Sequence, residues 1–223
     1  MVMTTKPNEL QHAATILQYW FSTLDDAAPL DRAAEPFRTC YRRWYGKDPA
    51  TDADIRTRFE PVLRETTADG RRLDDVMAAY RSAPYGLLAL VILLDQLPRN
   101  MYRDTPRMYS HDPLALAVSL AAIREYEHDE ELPTVRRMFL YVPLMHVESS
   151  TIQEYMLAKF EALVERARTR SPQNLGFFEL ARDYARRHVE VVAKFGRFPH
   201  RNAILSRKTT PAEEAFLVDN PGF

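Results

Sequence analysis

A chain of 223 residues that is 46% hydrophobic and 27% charged is long enough to bury a sizeable core without a covalent staple. The single cysteine, Cys40, excludes an intrachain disulfide and is typical of a reducing compartment. The formal net charge of −1 argues against a general polyanion binder, so nucleic acid is not an expected partner.

The hydrophobic pattern predicts helix along nearly the whole chain. Apolar residues from Leu10 to Phe21 follow the spacing of an amphipathic helix. A second helix is expected to be capped by Asp52 and bent or ended by Pro61. After a short third helix, residues 87–94 are apolar on all sides, which predicts a central buried helix.

Five later helices are indicated by capping residues or by a proline in the first turn. Their predicted starts lie near Pro113, Pro133, Ser150, Asn174 and Thr210. Gly196 is expected to end the longest of them. About nine helices with short connections, and no alternating strand pattern, predict one all-α domain over residues 1–223, with residues 1–7 as a disordered tail.

Membrane spans and secretion signals are not indicated. No apolar run reaches the roughly 18 residues of a membrane-spanning helix, so no membrane partner is expected. Residues 1–7 lack the apolar core of a secretory signal. Together with the lone cysteine, these features predict a cytoplasmic protein.

A first polar cluster follows the apolar helix at Asp95. A carboxylate at this place is costly unless it is paired. Because Pro98 disfavours helix at the residue before it, the chain is expected to turn at Leu97. The candidate ligand-binding residues here are Asp95, Gln96, Arg99 and Asn100. The alternative is structural: an ion pair between Asp95 and Arg99, with capping of the helix end.

His146 and Glu148 form a second polar cluster beside Pro143. If the helix breaks near Pro143, both side chains could face one pocket. A histidine with a carboxylate is the minimum set for acid–base catalysis, so both are candidate catalytic residues. Alternatively, Glu148 is a favourable charge at a helix N-terminus, and His146 is a hydrogen-bonded core residue.

Residues 195–202 form a third polar cluster, with two aromatic residues, two arginines, a histidine and an asparagine. Arg197 and Arg201 provide forked donors suited to carboxylate or phosphate, and Asn202 is a third candidate ligand-binding residue. His200 is a candidate acid or base. The alternative is that the arginines only hold the last helix in place.

Four segments, at residues 16–21, 93–100, 141–148 and 195–203, are similar to those of the bacterial domain-of-unknown-function 924 family and occur in the same order. The resemblance covers about residues 16 to 217. It implies an all-helical fold of antiparallel helix pairs stacked as in tetratricopeptide-repeat proteins, and it implies no activity and no catalytic residues. One departure is Ser206, where the family is expected to have glycine.

Two functions are compatible with these features. In the first, the three clusters converge on a polar pocket for a small anion, with His146 or His200 as general base and an arginine stabilising developing charge. In the second, the helices form a protein- or peptide-binding module without catalysis. A metal site built from the histidines and carboxylates is an alternative that our assignment leaves out. Whether the protein is an enzyme, its cofactors and its oligomeric state are not indicated.

Overall fold

The computed structural model describes residues 7–220, and this part of the chain contains eleven α-helical segments and no strand. The segments are α1 (Pro7–Phe21), α2 (Phe37–Tyr45), α3 (Pro49–Thr66), α4 (Leu73–Arg81), α5 (Gly86–Val91), α6 (Leu97–Met101), α7 (Asp112–Arg124), α8 (Thr134–Met145), α9 (Ser150–Arg170), α10 (Leu175–Phe195) and α11 (Pro211–Asp219). A π-helical turn, Ile92–Gln96, joins α5 and α6 into one continuous helix, so the described residues form ten helices. The all-α prediction is confirmed.

The expected disordered tail at residues 1–7 lies outside the described residues, apart from Pro7, where α1 begins. The prediction that Gly196 ends the longest late helix is confirmed, since it follows α10 with a left-handed φ of 69°. Ser206 also has a positive φ, of 54°. This conformation suits glycine, which is the residue expected at that place in the family.

The continuous α5–α6 helix is central, as the apolar run at residues 87–94 predicts. All six residues of α5 are buried, and α5 packs against α1, α4, α7 and α8. Aromatic rings fill the space beside it: the ring centroids of Trp44 and Phe139 lie 4.6 Å apart, and those of Trp20 and Phe139 lie 5.9 Å apart. A rigid core therefore supports the end of this helix, where the first polar cluster begins.

The predicted turn at Leu97 is wrong, because the helix continues through it with φ −62° and ψ −37°. The N–H of Leu97 donates to the carbonyl of Ile92, five residues earlier, so the turn is wider than in an α-helix. In a regular α-helix the Pro98 ring would clash with the carbonyl four residues before it. The wider turn accommodates the proline and keeps Asp95 inside the helix.

For α3, the predicted cap is wrong, and of the two effects expected of Pro61, a bend or an end, the end is excluded. Its cap is Asp48, whose carboxylate accepts hydrogen bonds from the backbone N–H groups of Ala50 and Thr51, whereas Asp52 lies in the first helical turn. Pro61 does not end α3, which continues to Thr66. Pro61 lies on the exposed side of the helix, where water can satisfy the backbone carbonyl that loses its partner.

Candidate functional site

The three polar clusters of the sequence meet through direct contacts. Nδ1 of His146 lies 2.7 Å from Oδ1 of Asp95, which joins the first cluster to the second. The backbone N–H of Phe198 donates to Oε1 of Glu148 at 2.8 Å, which joins the second to the third. Residues separated by about 50 positions therefore share one neighbourhood.

Asp95 lies in the π-helical turn and is fully buried. Its carboxylate accepts hydrogen bonds from His146 and from the side-chain amide of Gln96, and it lies 3.2 Å from Nη1 of Arg99. Burial alone would raise the pKa of Asp95, but the Arg99 charge and then His146 hold that pKa well below its usual range. Asp95 is therefore a carboxylate at neutral pH.

His146 follows the last residue of α8, in a turn that Gln153 holds in place. The Gln153 side-chain amide donates to the carbonyls of Met145 and Val147, both at 2.8 Å. Because a carboxylate can only accept, Nδ1 of His146 carries the hydrogen toward Asp95 and Nε2 has a lone pair. Burial and the Arg99 charge lower the pKa of His146, so the imidazole is a neutral base at pH 7.

Asp112, at the start of α7, is part of the same cluster. Arg99 binds its carboxylate with two N–H groups, at 2.9 and 3.0 Å, and also donates to the backbone carbonyl of Asp95 at 2.7 Å. The sequence explained Asp112 fully as a helix-start residue, so its second role was missed. Its position after the polar cluster at residues 95–103 was the available signal.

Arg201 is buried, with 7% of its surface exposed, between two aromatic rings. Its guanidinium carbon lies 4.7 Å from the ring centroids of both Tyr109 and Phe198. The closest carboxylate atom, on Asp112, is 3.8 Å away, which is beyond hydrogen-bond distance. With respect to residues 7–220, the side chain makes no hydrogen bond, and its Nε is a buried donor without a partner.

Two more histidines lie beside Phe198. The ring centroid of His188 is 5.4 Å from that of Phe198, and the ring centroid of His200 is 5.7 Å from it. Nδ1 of His188 donates to the Tyr184 carbonyl at 3.0 Å. Burial first, and then the nearby groups including His146 and Arg201, lower the pKa of His188 to about 3. His188 looked like an ordinary core residue in the sequence, and only its place two turns before residues 195–202 pointed to the site.

Comparison with known protein families identifies the family of this chain. The family model described as "Bacterial protein of unknown function (DUF924)" matches residues 16–222. The chain belongs to this family. It is also similar to a solved structure of a protein of unknown function from Agrobacterium tumefaciens, with 31% identity, a TM-score of 0.68, and coverage of 93% of this chain and 97% of that one. No protein with a curated function matches.

Other predicted site residues of this DUF924 protein have structural partners. Asn100 donates to Asp52 at 2.9 Å. Arg197 binds Glu213 of α11 with two N–H groups, at 2.7 and 2.9 Å. The carbonyl oxygen of the Asn202 side chain accepts from Arg207 at 3.0 Å. The structural alternative from the sequence, in which an arginine holds the last helix, therefore describes the observed contacts of Arg197.

Glu148 has both oxygens engaged. Arg207 donates to them at 2.7 and 3.0 Å, in addition to the hydrogen bond from Phe198. Although burial opposes it, these contacts lower the pKa of Glu148, which keeps the carboxyl ionised at neutral pH. A carboxylate held in this way fixes the loop that carries Arg201. A catalytic role for Glu148 stays a prediction, as do the roles of Asn100, Arg197 and Asn202.

Two kinds of feature are absent from residues 7–220, a cluster of metal-ligating side chains and a membrane-spanning helix. Over the described part of the chain, no group of three or more histidine, cysteine, aspartate or glutamate side chains is placed to hold a metal ion. Over the same residues, no helix combines the length and the apolar character that crossing a bilayer requires.

The buried His188 predicts a specific loss of stability in acid. The His188 imidazole has a pKa of about 3 in the folded state, below the value of 6.5 expected in the unfolded state. Its contribution to the free energy of unfolding is therefore complete above pH 6.5 and is lost as the pH falls toward 3. The loss is about 1.4 kcal/mol for each pH unit below 6.5. In urea unfolding between pH 6.5 and 4, His188→Gln should lose less stability than the wild type. Equal losses would contradict the assignment.

Proposed function

We propose that the cluster around Arg201 binds a small anionic molecule. The supporting observation is a buried guanidinium with no hydrogen bond to the described protein. Burying such a group lowers the stability of the fold unless a ligand accepts hydrogen bonds from its N–H donors. A carboxylate or phosphate matches its forked donors.

A comparison with other arginines of the chain strengthens this argument. Four half-buried arginines each bind one carboxylate through two N–H groups: Arg99 with Asp112, Arg103 with Asp52, Arg197 with Glu213, and Arg207 with Glu148. Arg201 is more buried than these four and, within residues 7–220, has no such partner. We infer that its partner is supplied from outside the chain.

The ligand must be small. The cluster is largely buried, and two open clefts, of about 220 and 690 Å³, lie elsewhere, between α10 and α11 and between α2 and α3. We therefore propose an anion of the size of acetate or phosphate, which would reach the guanidinium beside the rings of Tyr109 and Phe198. The Asp112 carboxylate at 3.8 Å would discourage a ligand with several negative charges on that side.

The same cluster supplies an acid–base group. Asp95 orients the neutral His146 through Nδ1, which leaves Nε2 as a proton acceptor. The Asp95 carboxylate, which Arg99 keeps ionised, would stabilise the imidazolium formed after proton transfer, against the opposing effects of burial and of the Arg99 charge on His146. We propose His146 as the general base for a bound substrate. His200, whose ring lies 5.7 Å from that of Phe198, is the second candidate base.

The peptide-binding alternative has less support. The large apolar side chains that are exposed among residues 7–220 are five: Leu10, Tyr45, Leu180, Tyr184 and Val218. They are spread over four helices, α1, α2, α10 and α11. A helical peptide-binding module is expected to present a contiguous apolar surface. This hypothesis stays a prediction.

Binding can be measured as thermal stabilisation of the full chain by acetate, succinate and phosphate at matched ionic strength. At ten times its dissociation constant, a ligand stabilises the folded state by about 1.4 kcal/mol, which raises the Tm by about 3–5 °C for a chain of this size. At least one of the anions should give a saturable rise that Arg201→Gln abolishes.

Arg197→Gln is the matched control, because Arg197 lies on the same segment but pairs with Glu213. It should keep the response to the anion even if the variant is less stable. The proposal is contradicted if none of the anions raises the Tm, or if Arg201→Gln keeps the full response. Arg201 would be a purely structural residue if two results occurred together. Arg201→Gln, but not Arg197→Gln, would lose the far-ultraviolet helix signal, and the wild type would show no rise in Tm with any of the anions.

A further inference from the structure

A second arginine is as deeply buried as Arg201. Among the described residues, Arg137 and Arg201 are the two buried arginines, each with 7% of its surface exposed. Arg137 projects from α8, and its Nε and Nη2 are both buried donors without a partner. Its one ion-pair contact joins Nη1 to Oε1 of Glu130 at 3.3 Å, and Glu130 itself is 70% exposed. Most of this guanidinium is therefore without a hydrogen bond.

Further polar atoms without partners surround Arg137. Thr134 lies one helical turn before it, on the same face of α8, and its hydroxyl is fully buried without a hydrogen bond. Arg166 reaches the place from α9: its Nη2 donates to the carbonyl of Leu132 at 3.2 Å, while its Nε is buried without a partner. Burial and the charge of Arg137 both lower the pKa of Arg166.

The carboxylates in this neighbourhood are already engaged. Asp26 accepts from the backbone N–H of Thr134 at 2.6 Å. Asp129 accepts from the Tyr141 hydroxyl at 2.6 Å and pairs with Lys159 at 3.4 Å. Among residues 7–220, four donor-bearing atoms of these three residues have no hydrogen-bond partner: two on Arg137, one on Arg166 and the Thr134 hydroxyl. Buried donors of this kind are ordinarily satisfied.

We propose that Arg137, Arg166 and Thr134 form a second anion site, between α8 and α9, that takes a small tetrahedral oxyanion such as phosphate or sulfate. Nε and Nη2 of Arg137 offer a fork of N–H donors to such an ion, Nε of Arg166 offers another donor, and the hydroxyl adds a third contact. The site stands on residues separate from the Arg201 cluster. It is therefore independent of the function proposed above.

Crystals of the full chain grown with selenate give a direct test, because selenium scatters anomalously and water does not. The expected result is an anomalous peak within hydrogen-bond distance of the Arg137 Nε. Ordered water at that place, with no anomalous peak, would overturn the proposal. No variant is needed for this test, so a folding defect cannot obscure it.

A solution test separates this site from the Arg201 site. Sulfate should raise the Tm of the wild type above matched chloride by about 3 °C, and Arg137→Gln should lose most of the rise. Sulfate also stabilises proteins generally because it is excluded from their surface. This general rise in Tm is common to the wild type and all variants, so the difference between them reports the site. Thr134→Val, which keeps the shape of the side chain, should lower the affinity for sulfate several-fold.

Arg201→Gln is the control here and should keep the part of the sulfate response that Arg137→Gln loses. If Arg137→Gln and the wild type respond equally, the proposal is wrong. If Arg201→Gln removes the response and Arg137→Gln keeps it, the anion sits at the first cluster, and the second site is excluded while the proposed function is supported.

Discussion

Asp95→Asn is expected to lower the free energy of unfolding by about 3–5 kcal/mol, the cost of removing one partner from a buried charge network. Asp95 is fully buried and is held by His146, Gln96 and Arg99. The amide has no charge to balance Arg99, and its NH₂ group cannot accept a hydrogen bond. Urea unfolding at pH 7 measures the loss.

Asp74→Asn is the matched control for this prediction. Asp74 faces Arg72 at 3.7 Å, and both side chains are about three-quarters exposed. An exposed pair of this kind contributes about 1 kcal/mol or less. If Asp95→Asn lowers the free energy of unfolding by no more than Asp74→Asn does, the buried charge network around Asp95 does not stabilise the fold.

Gly86→Ala is expected to destabilise the fold by about 3 kcal/mol or more, because the added carbon has no place at the start of α5. A Cβ on Gly86 would lie 1.7 Å from the backbone carbonyl oxygen of Tyr80 and 2.7 Å from its carbon. Tyr80 is fully buried, so its backbone cannot move aside without disturbing the core. The loss is measured by urea unfolding or as a fall in Tm.

Gly176→Ala controls for the general effect of adding a methyl group to a helix. Gly176 lies in α10, and a Cβ there meets nothing within 4 Å. Alanine has the higher helix propensity, so this variant should gain about 0.5–1 kcal/mol. Similar stabilities for the two variants would mean that α5 does not approach Tyr80 as closely as the structure shows.

Much of the fold follows from local pattern. The run at residues 87–94 is apolar on all sides, and a helix of that kind can only be central. The start of α11 is also evident from its sequence, because Thr210 and Glu213 form a capping box. The threonine hydroxyl and the glutamate carboxylate each accept a hydrogen bond from a backbone N–H. The π-helical turn at Asp95 was not predictable, because its apolar pattern is that of an α-helix and Pro98 argued for a break.

The site was only partly predictable for a different reason. Asp95 and His146 could each be identified as chemically informative residues, but their pairing depends on the packing of α8 against the central helix. Arg197 and Arg201 are four residues apart and equivalent in sequence. Tertiary structure distinguishes them, because Glu213 of α11 neutralises Arg197, whereas no carboxylate of the described residues binds Arg201 in this way.

The burial of Arg137 was even less predictable from the sequence. On sequence it is one basic residue of an amphipathic helix, which is ordinarily a solvated position. Its burial follows from the docking of α9 on α8 and brings Arg166 to the same place. Residue type and spacing alone therefore could not separate the two buried arginines from the many exposed ones.

The most direct measurement of the central claim is the side-chain Nε–H signal of Arg201 in ¹⁵N-labelled full-length protein, assigned by its loss in Arg201→Gln. Addition of acetate or phosphate should move this signal saturably. The Nε–H of Arg197 already donates to the Glu213 carboxylate and that of Arg207 to the Asn202 side-chain carbonyl, so these two signals should stay in place. An Arg201 signal that does not move up to tens of millimolar of either anion would show that its buried donor takes no small anion.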